Sequence, residues 1–333
     1  MQQKQQPLGS GFTAASTADE VLAGIDLTGT NVVITGGHAG IGLAATQALT
    51  RAGACVTVGA RGPERAALAL EGVERVETGR LDLADPASID AFAIRYVDSG
   101  RPLHVLINNA GVPLRGQREV DARGYEAQFA TNHLGHFQLT LGLLPALRAA
   151  HGARVVNLSS GGHRLTGIRW DDLHFASGYD PFLAYGQSKT ANILFAVELD
   201  RRWAKAGIRG YAVHPGIVPG THLNSSVGEE RLRATGLMDD NGHPVVDLER
   251  GVKDVRQGAA TTVFAATSPM LEGIGGVYLR DSDVSELDES PEPLTGAEKA
   301  PPADVVPHAV DHESARRLWE LSEELIKVSG GHR

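Results

Sequence analysis

Tyr185 and Lys189 stand four residues apart in the stretch AYGQSK, residues 184 to 189. In a helix that spacing puts both side chains on one face. A free phenol loses its proton near pH ~10, whereas general acid–base catalysis works best near pH ~7, so a tyrosine needs a nearby cation, which Lys189 supplies. Tyr179 has no such partner. It precedes Asp180 and Pro181, which suit the turn before a helix, so packing or lining a pocket mouth is its expected work. Ser159 and Ser160 close an apolar run, ARVVNLSS, on the N-terminal side of the tyrosines. The thirteen histidines raise a metal hypothesis. His133 and His136 lie three apart, but no carboxylate or third histidine accompanies them at ligand spacing, so no metal is expected. Single histidines such as His174 and His214 read as hydrogen-bonded structural residues.

A second group suits a nucleotide. TGGHAGIG follows the apolar run NVVIT and opens an Ala- and Leu-rich segment. Gly36, Gly40 and Gly42, with Ile41 between the last two, let backbone approach a pyrophosphate at a helix N-terminus, where free N–H groups and a positive dipole end are available. The run at 54 to 60 ends in Ala60 followed by Arg61, where a carboxylate would repel a 2′-phosphate and an arginine would bind one. That reads as NADP, with His38 as a second polar contact; a solvated arginine at a strand end is the bland alternative. Asp82 and Leu83 in LDLAD stand where a carboxylate could take an adenine amino group. Asn109, Ala110 and Gly111 form a small-residue turn for a ribose. Pro215, Gly216, Ile217 and Thr221 form a loop toward a nicotinamide carboxamide. Asn132 is a polar residue in an apolar helical run, readable as structural or functional.

These groups need a frame. Short β-branched apolar runs at 31–35, 54–60, 75–79, 103–108, 153–159, 208–214 and 276–279 alternate with helix-like segments. Nearly continuous apolar runs suit strands covered on both faces, and the alternation argues βαβ units. The expected fold is α/β: a single-domain Rossmann fold whose doubly wound, mostly parallel seven-stranded sheet carries helices on both faces. The ligand edge is then the carboxyl end of the strands. Residues 1–28 read as an N-terminal extension and 29–282 as the catalytic domain, with an insertion at 163–183 and a substrate lid at 222–256. Residues 283–308 read as a mobile linker, and 309–333 as a C-terminal helix docking on the core through Ala315, Leu318, Trp319, Leu321, Leu325 and Ile326.

The chain has 333 residues, 42% hydrophobic and 21% charged, with a net charge of −9. Its scattered Lys and Arg give no basic surface for nucleic acid. One cysteine, Cys55, permits neither an intrachain disulfide nor a cysteine metal cluster. No apolar stretch approaches membrane-spanning length, and the N-terminus has no signal-like apolar region, so a soluble, cytoplasmic protein is expected.

Taken together and in this order, TGGHAGIG, NNAG, Asn132, Ser160 with Tyr185 and Lys189, and HPG resemble the short-chain dehydrogenase/reductase family from about residue 28 to about 282. VVNLSSGGH, AYGQSKTANILFAVEL and VHPGIV are similar to its retinol dehydrogenase-like and WW-domain oxidoreductase-like subgroup, and ARRLWELSEEL to bacterial members. The resemblance implies that Ser160 and Tyr185 hydrogen-bond the substrate oxygen. It implies that NADPH delivers hydride while Tyr185 gives its proton, with the reverse in alcohol oxidation. It further implies that Lys189 holds the nicotinamide ribose and lowers the tyrosine pKa, and that Asn132 fixes a water linking Lys189 to solvent. Two departures stand out. Ser160 and Tyr185 are 25 residues apart, longer than is usual in the family, which makes 163–183 an insertion beside the site. Pro219 and Gly220 lengthen the loop before Thr221. The substrate is expected to be a hydrophobic carbonyl compound or alcohol, walled by Val112, Leu114, Leu165, Phe182, Leu223, Leu237 and Met238, and the protein a monomer or homodimer. A non-catalytic NADP-binding regulatory protein and a reductase of a conjugated C=C bond remain open alternatives.

Overall fold

The computed structural model describes residues 5–112, 114, 116–221, 228–292 and 302–328; Leu223 of the expected pocket wall, and parts of the expected lid, linker and C-terminal segment, lie outside them. Seven strands run parallel: β1 (Asn31–Thr35), β2 (Cys55–Ala60), β3 (Val76–Arg80), β4 (Val105–Asn108), β5 (Ala153–Leu158), β6 (Ile208–His214) and β7 (Val277–Arg280). The seven-stranded expectation needs a correction. An eighth strand, β8 (Asp283–Val284), pairs antiparallel with β7 and completes the order β3-β2-β1-β4-β5-β6-β7-β8. Asp281 and Ser282, with φ of 49° and 60°, make the two-residue turn between them. Positive φ at both central residues matches the natural twist of a hairpin. The Gln5 side chain caps this edge, its Nε2 donating to the Tyr278 and Ser285 carbonyls and its Oε1 accepting the Tyr278 N–H. The Asp283 carboxylate accepts the N–H groups of Leu8, Gly9 and Ser10 at 2.8–2.9 Å.

Helices flank both faces. In chain order they are α1 (Ala18–Val21), α2 (Gly40–Arg51), α3 (Pro63–Ala69), α4 (Pro86–Asp98), α5 (Ala127–Phe129), α6 (Gly135–Gly142), α7 (Leu144–Ala149), α8 (Pro181–Trp203), α9 (Glu229–Ala234), α10 (Val255–Thr267), α11 (Pro307–Val310) and α12 (His312–Val328). Side chains at alternate strand positions pack to opposite faces. Val32, Ile34, Val56 and Val58 meet Ala45, Ala48 and Leu49 of α2 and Val263 and Phe264 of α10. Val33, Leu106 and Val155 meet Phe92 of α4, Phe137 of α6 and Phe195 of α8. Ala315, Leu318 and Trp319 of α12 are buried against α8 and its neighbours. In the segment of linker-like composition, the described Val305 and Val306 are buried beside Tyr278 and Ile193.

Two local features set the site. Asp180 caps α8, its carboxylate accepting the N–H groups of Phe182 and Leu183, with Pro181 at the first helical position. That fixes where the helix carrying Tyr185 and Lys189 begins. Between α5 and α6 the chain makes a π-helical turn, Ala130–Leu134, which holds Asn132. Such turns interrupt the regular helical ladder and recur at functional sites.

Candidate active site

The strand order reverses between β1 and β4, which opens a crevice beyond the carboxyl ends of the strands. Gly36 leaves β1 at φ +67° and donates its N–H to the Gly59 carbonyl at 2.8 Å. A Cβ on Gly42 would stand 2.5 Å from the Gly36 carbonyl oxygen and 2.6 Å from Asn109 Nδ2, so only glycine lets the loop fold this tightly. Ala39, at the α2 N-cap, offers no side-chain cap, leaving first-turn N–H groups toward the crevice. His38, Gly40 and Ile41 lie partly buried along this loop. Thr221 lies over it, its Cγ2 3.3 Å from where a Gly40 Cβ would stand. Ala60 is buried at the end of β2 and Arg61 is exposed beside it. Asp82 turns its carboxylate back on the Ala84 N–H, and Leu83 is buried.

Asn109 and Ala110 are tied to β1, both donating backbone N–H to Thr35 Oγ1 at 2.9 Å. Pro215, Gly216 and Ile217 follow β6. Ile217 pairs with Val252, and Lys253, almost fully buried, runs over Gly216 to an ion pair with Asp281 at 2.6 Å. His214 accepts the Gly161 N–H at 3.2 Å, and burial, reinforced by Lys253, pushes its pKa down to about 4.

The Ser160 hydroxyl stands close enough to the Tyr185 phenol to act on its pKa, and it accepts the Gly162 N–H at 3.1 Å. Ser159 faces elsewhere, donating to the Lys189 carbonyl at 2.9 Å, so the two serines are separated by role. Lys189 is 4% exposed. Its Nζ lies 5.3 Å from the centre of the Tyr185 ring and donates to the Leu158 carbonyl at 3.2 Å. Here the expectation that Lys189 depresses the tyrosine pKa needs correction. Burial raises the Tyr185 pKa, opposed only by the Ser160 hydroxyl. Burial also brings Lys189 down to about 8. Both groups lose hydration, and desolvation disfavours whichever form is charged. The phenol therefore stays protonated at neutral pH, ready to donate.

Asn132 is fully buried. Its Oδ1 accepts the Val112 N–H and its Nδ2 donates to Ser188 Oγ, each at 3.0 Å, so its side chain is committed to protein partners. His136 bridges the Asn132 carbonyl and Thr35 Oγ1, both at 2.9 Å. Thr35, His136 and Ser188 were not singled out as site residues from sequence. Their signal is positional, a threonine closing the first strand and a histidine one turn after Asn132, and neither carries a motif by itself. Among the described residues, no group of three or more His, Cys, Asp or Glu is arranged to hold a metal ion, and no helix is long and apolar enough to cross a membrane.

A family profile described as short chain dehydrogenase matches residues 30–232. The chain belongs to the short chain dehydrogenase family. Relatives agree: a probable oxidoreductase of Streptomyces lividans is 42% identical over 310 residues, covering 91% of this chain and all of that one. A polyprenol dehydrogenase of Mus musculus is 37% identical over 312 residues, covering 90% and 84%. The crystal structure of an uncharacterized protein from Mycobacterium paratuberculosis matches with a TM-score of 0.68 at 33% identity, covering 95% of this chain and 97% of that one. As a family member this chain is an oxidoreductase of a family that binds nicotinamide cofactors and acts on small molecules.

Proposed function

We propose that this chain is an NADP-dependent oxidoreductase that interconverts a hydrophobic aldehyde or ketone and its alcohol. The observation that carries this reading is the gathering of the Ser160 hydroxyl and the Tyr185 ring beside Gly162, with the Lys189 ammonium buried next to the ring, on the strand edge shared with the glycine loop. The residues present fit a nicotinamide dinucleotide. A Cβ at Gly36, Gly40 or Gly42 would press on Ala110, Thr221 or the Gly36 carbonyl, so the loop folds tightly against the α2 N-terminus, and with His38 and Ile41 it would suit the pyrophosphate there. Arg61 would take the 2′-phosphate, Asp82 and Leu83 the adenine, and Asn109, Ala110 and Gly111 the ribose. Lys189 would reach the second ribose, and Pro215, Gly216, Ile217 and Thr221 the nicotinamide end. When bound, the nucleotide supplies or accepts the hydride.

The chain supplies the proton and the electrostatics. Ser160 and Tyr185 present two hydroxyl donors to one substrate oxygen, meeting charge that develops there without reorganisation. Tyr185 transfers its proton to that oxygen in reduction and recovers it in oxidation. Its raised pKa favours the acid role at neutral pH, so alcohol oxidation should gain as pH rises. Leu165 and Phe182 are 37% and 44% exposed beside the catalytic helix, an apolar mouth with Val112, Leu114, Leu237 and Met238 as further candidate lining. The likeness to a polyprenol dehydrogenase, an enzyme named for an apolar alcohol, supports the same substrate chemistry.

The test is NADPH absorbance with a panel of aldehydes and ketones. Tyr185→Phe should lose about 10²- to 10⁴-fold in kcat, the usual scale of a lost general acid, with NADPH binding retained. A parent that binds NADPH yet turns over nothing, or a variant as active as its parent, would overturn the reading.

A further inference from the structure

We propose that His136 is a positioning residue that holds the cofactor-side turn and the catalytic helix at a fixed separation, acting as a neutral ring with its proton on Nδ1. The inference rests on the functional reading above and extends it to a residue that touches neither substrate nor nucleotide.

Counting protons settles the ring's state. Thr35 Oγ1 accepts two backbone N–H groups, from Asn109 and Ala110, both at 2.9 Å. A hydroxyl has two lone pairs and one proton. With both pairs used, the proton points to the third neighbour, His136 Nε2 at 2.9 Å. Nε2 is therefore an acceptor. The Asn132 carbonyl, 2.9 Å from Nδ1, can only accept, so Nδ1 carries the hydrogen. A doubly protonated ring would have nothing to receive the threonine hydroxyl, and the fully buried site agrees with a neutral one.

The path then continues. Asn132 Nδ2 donates to Ser188 Oγ at 3.0 Å, and Ser188 Oγ donates to the Tyr185 carbonyl at 2.8 Å. Asn132 Oδ1 meanwhile holds the Val112 N–H. One unbroken set of hydrogen bonds thus joins the Asn109–Ala110 turn, through Thr35, His136, Asn132 and Ser188, to the backbone of Tyr185. The π-helical turn at Ala130–Leu134 makes this possible.

Packing and hydrogen bonding predict opposite orders of variants. His136→Phe preserves ring volume and removes both hydrogen bonds. His136→Asn leaves a void but keeps an amide donor near the place of Nδ1. If His136 positions the site, His136→Phe should lower kcat about 50-fold or more, since a misplacement of about 1 Å can cost ~10²-fold. NADPH Kd should change less than about threefold, and His136→Asn should stay within about fivefold of the parent in kcat. The opposite order, with Phe close to the parent and Asn impaired in step with its lowered Tm, would mean a packing role and overturn the proposal. Long-range proton–nitrogen NMR on histidine-labelled protein supplies a readout besides activity. Two neutral rings protonated on Nδ1 are expected, His136 and His163, whose Nδ1 donates to the Ser160 carbonyl, and one of the two signals is lost in His136→Asn; if the signal lost in that variant is instead a ring protonated on Nε2, the proposal is overturned even if all variants fold. Failure of the functional reading shows separately, as a parent that turns over none of the panel, and the tautomer then decides for His136 by itself.

Discussion

Arg61 is exposed at the end of β2, and a guanidinium fork there matches a phosphate monoester. A hydrogen bond to a charged group contributes about 1.5–3 kcal/mol. Arg61→Ala should therefore weaken NADPH by about 10- to 100-fold in Kd, with NADH changed less than about threefold. Fluorescence titration with both nucleotides checks this, and equal losses would sink the 2′-phosphate assignment. Residue identity and spacing made Tyr185, Lys189 and Ser160 legible in the sequence, because an i, i+4 pair and a strand-end serine are local facts. Their protonation was not. The direction of a pKa shift depends on how much water the folded chain removes, and here that raises Tyr185 and lowers Lys189. Asn132 was visible as a polar residue in an apolar run, but which atoms it satisfies depends on Val112 and Ser188, 20 and 56 positions away.

At the scale of elements, α12 covers much of α8. Trp319, 3% exposed, meets the rings of Phe137, Phe195 and Trp203 edge-on or tilted at 4.9–5.8 Å. Removing a buried tryptophan costs about 3–5 kcal/mol, so in a chain of this length Trp319→Ala should lower Tm by roughly 5 °C. Calorimetry tests this, and a shift of only a degree or two would show that α12 contributes little to the fold. Most of the parallel strands could be read because strands buried on both faces are continuous apolar runs, whereas the edge strand β3, VETGR, is half exposed and is placed by its position between helix-like segments. β8 could not: it has two residues, Asp283 and Val284, and exists because Asp281 and Ser282 take positive φ without any glycine. The π-helical turn was equally invisible, since its composition, ATNHL, differs little from that of a helix and its register follows from packing between α5 and α6.

The whole molecule carries several histidines that it must keep neutral. Burial pushes His133 and His163 down to about 3 and His136 and His214 down to about 4. The hydrogen bonds agree, since Ser322 Oγ donates to the Leu318 carbonyl and must accept from His133 Nε2, while His163 Nδ1 donates to the Ser160 carbonyl. The unfolded chain protonates each near pH ~6.5, so between that value and the folded pKa it binds more protons than the native state, and stability rises with pH. Falling from pH ~6.5 to ~5 therefore costs about 2 kcal/mol per group, or roughly 6 kcal/mol for the three most buried, with His214 adding to it. That is a large share of a typical total of about 5–15 kcal/mol. Glu126, whose carboxyl burial pushes up, acts in the opposite sense. Lowered carboxylates such as Asp281 act only at more acid pH, so in the window from ~6.5 to ~5 the histidines dominate. Denaturant unfolding across it should show stability falling with a slope near three protons, about 4 kcal/mol per pH unit. A flat profile from pH ~7 to ~5 would mean that these rings do not stay neutral in the native state.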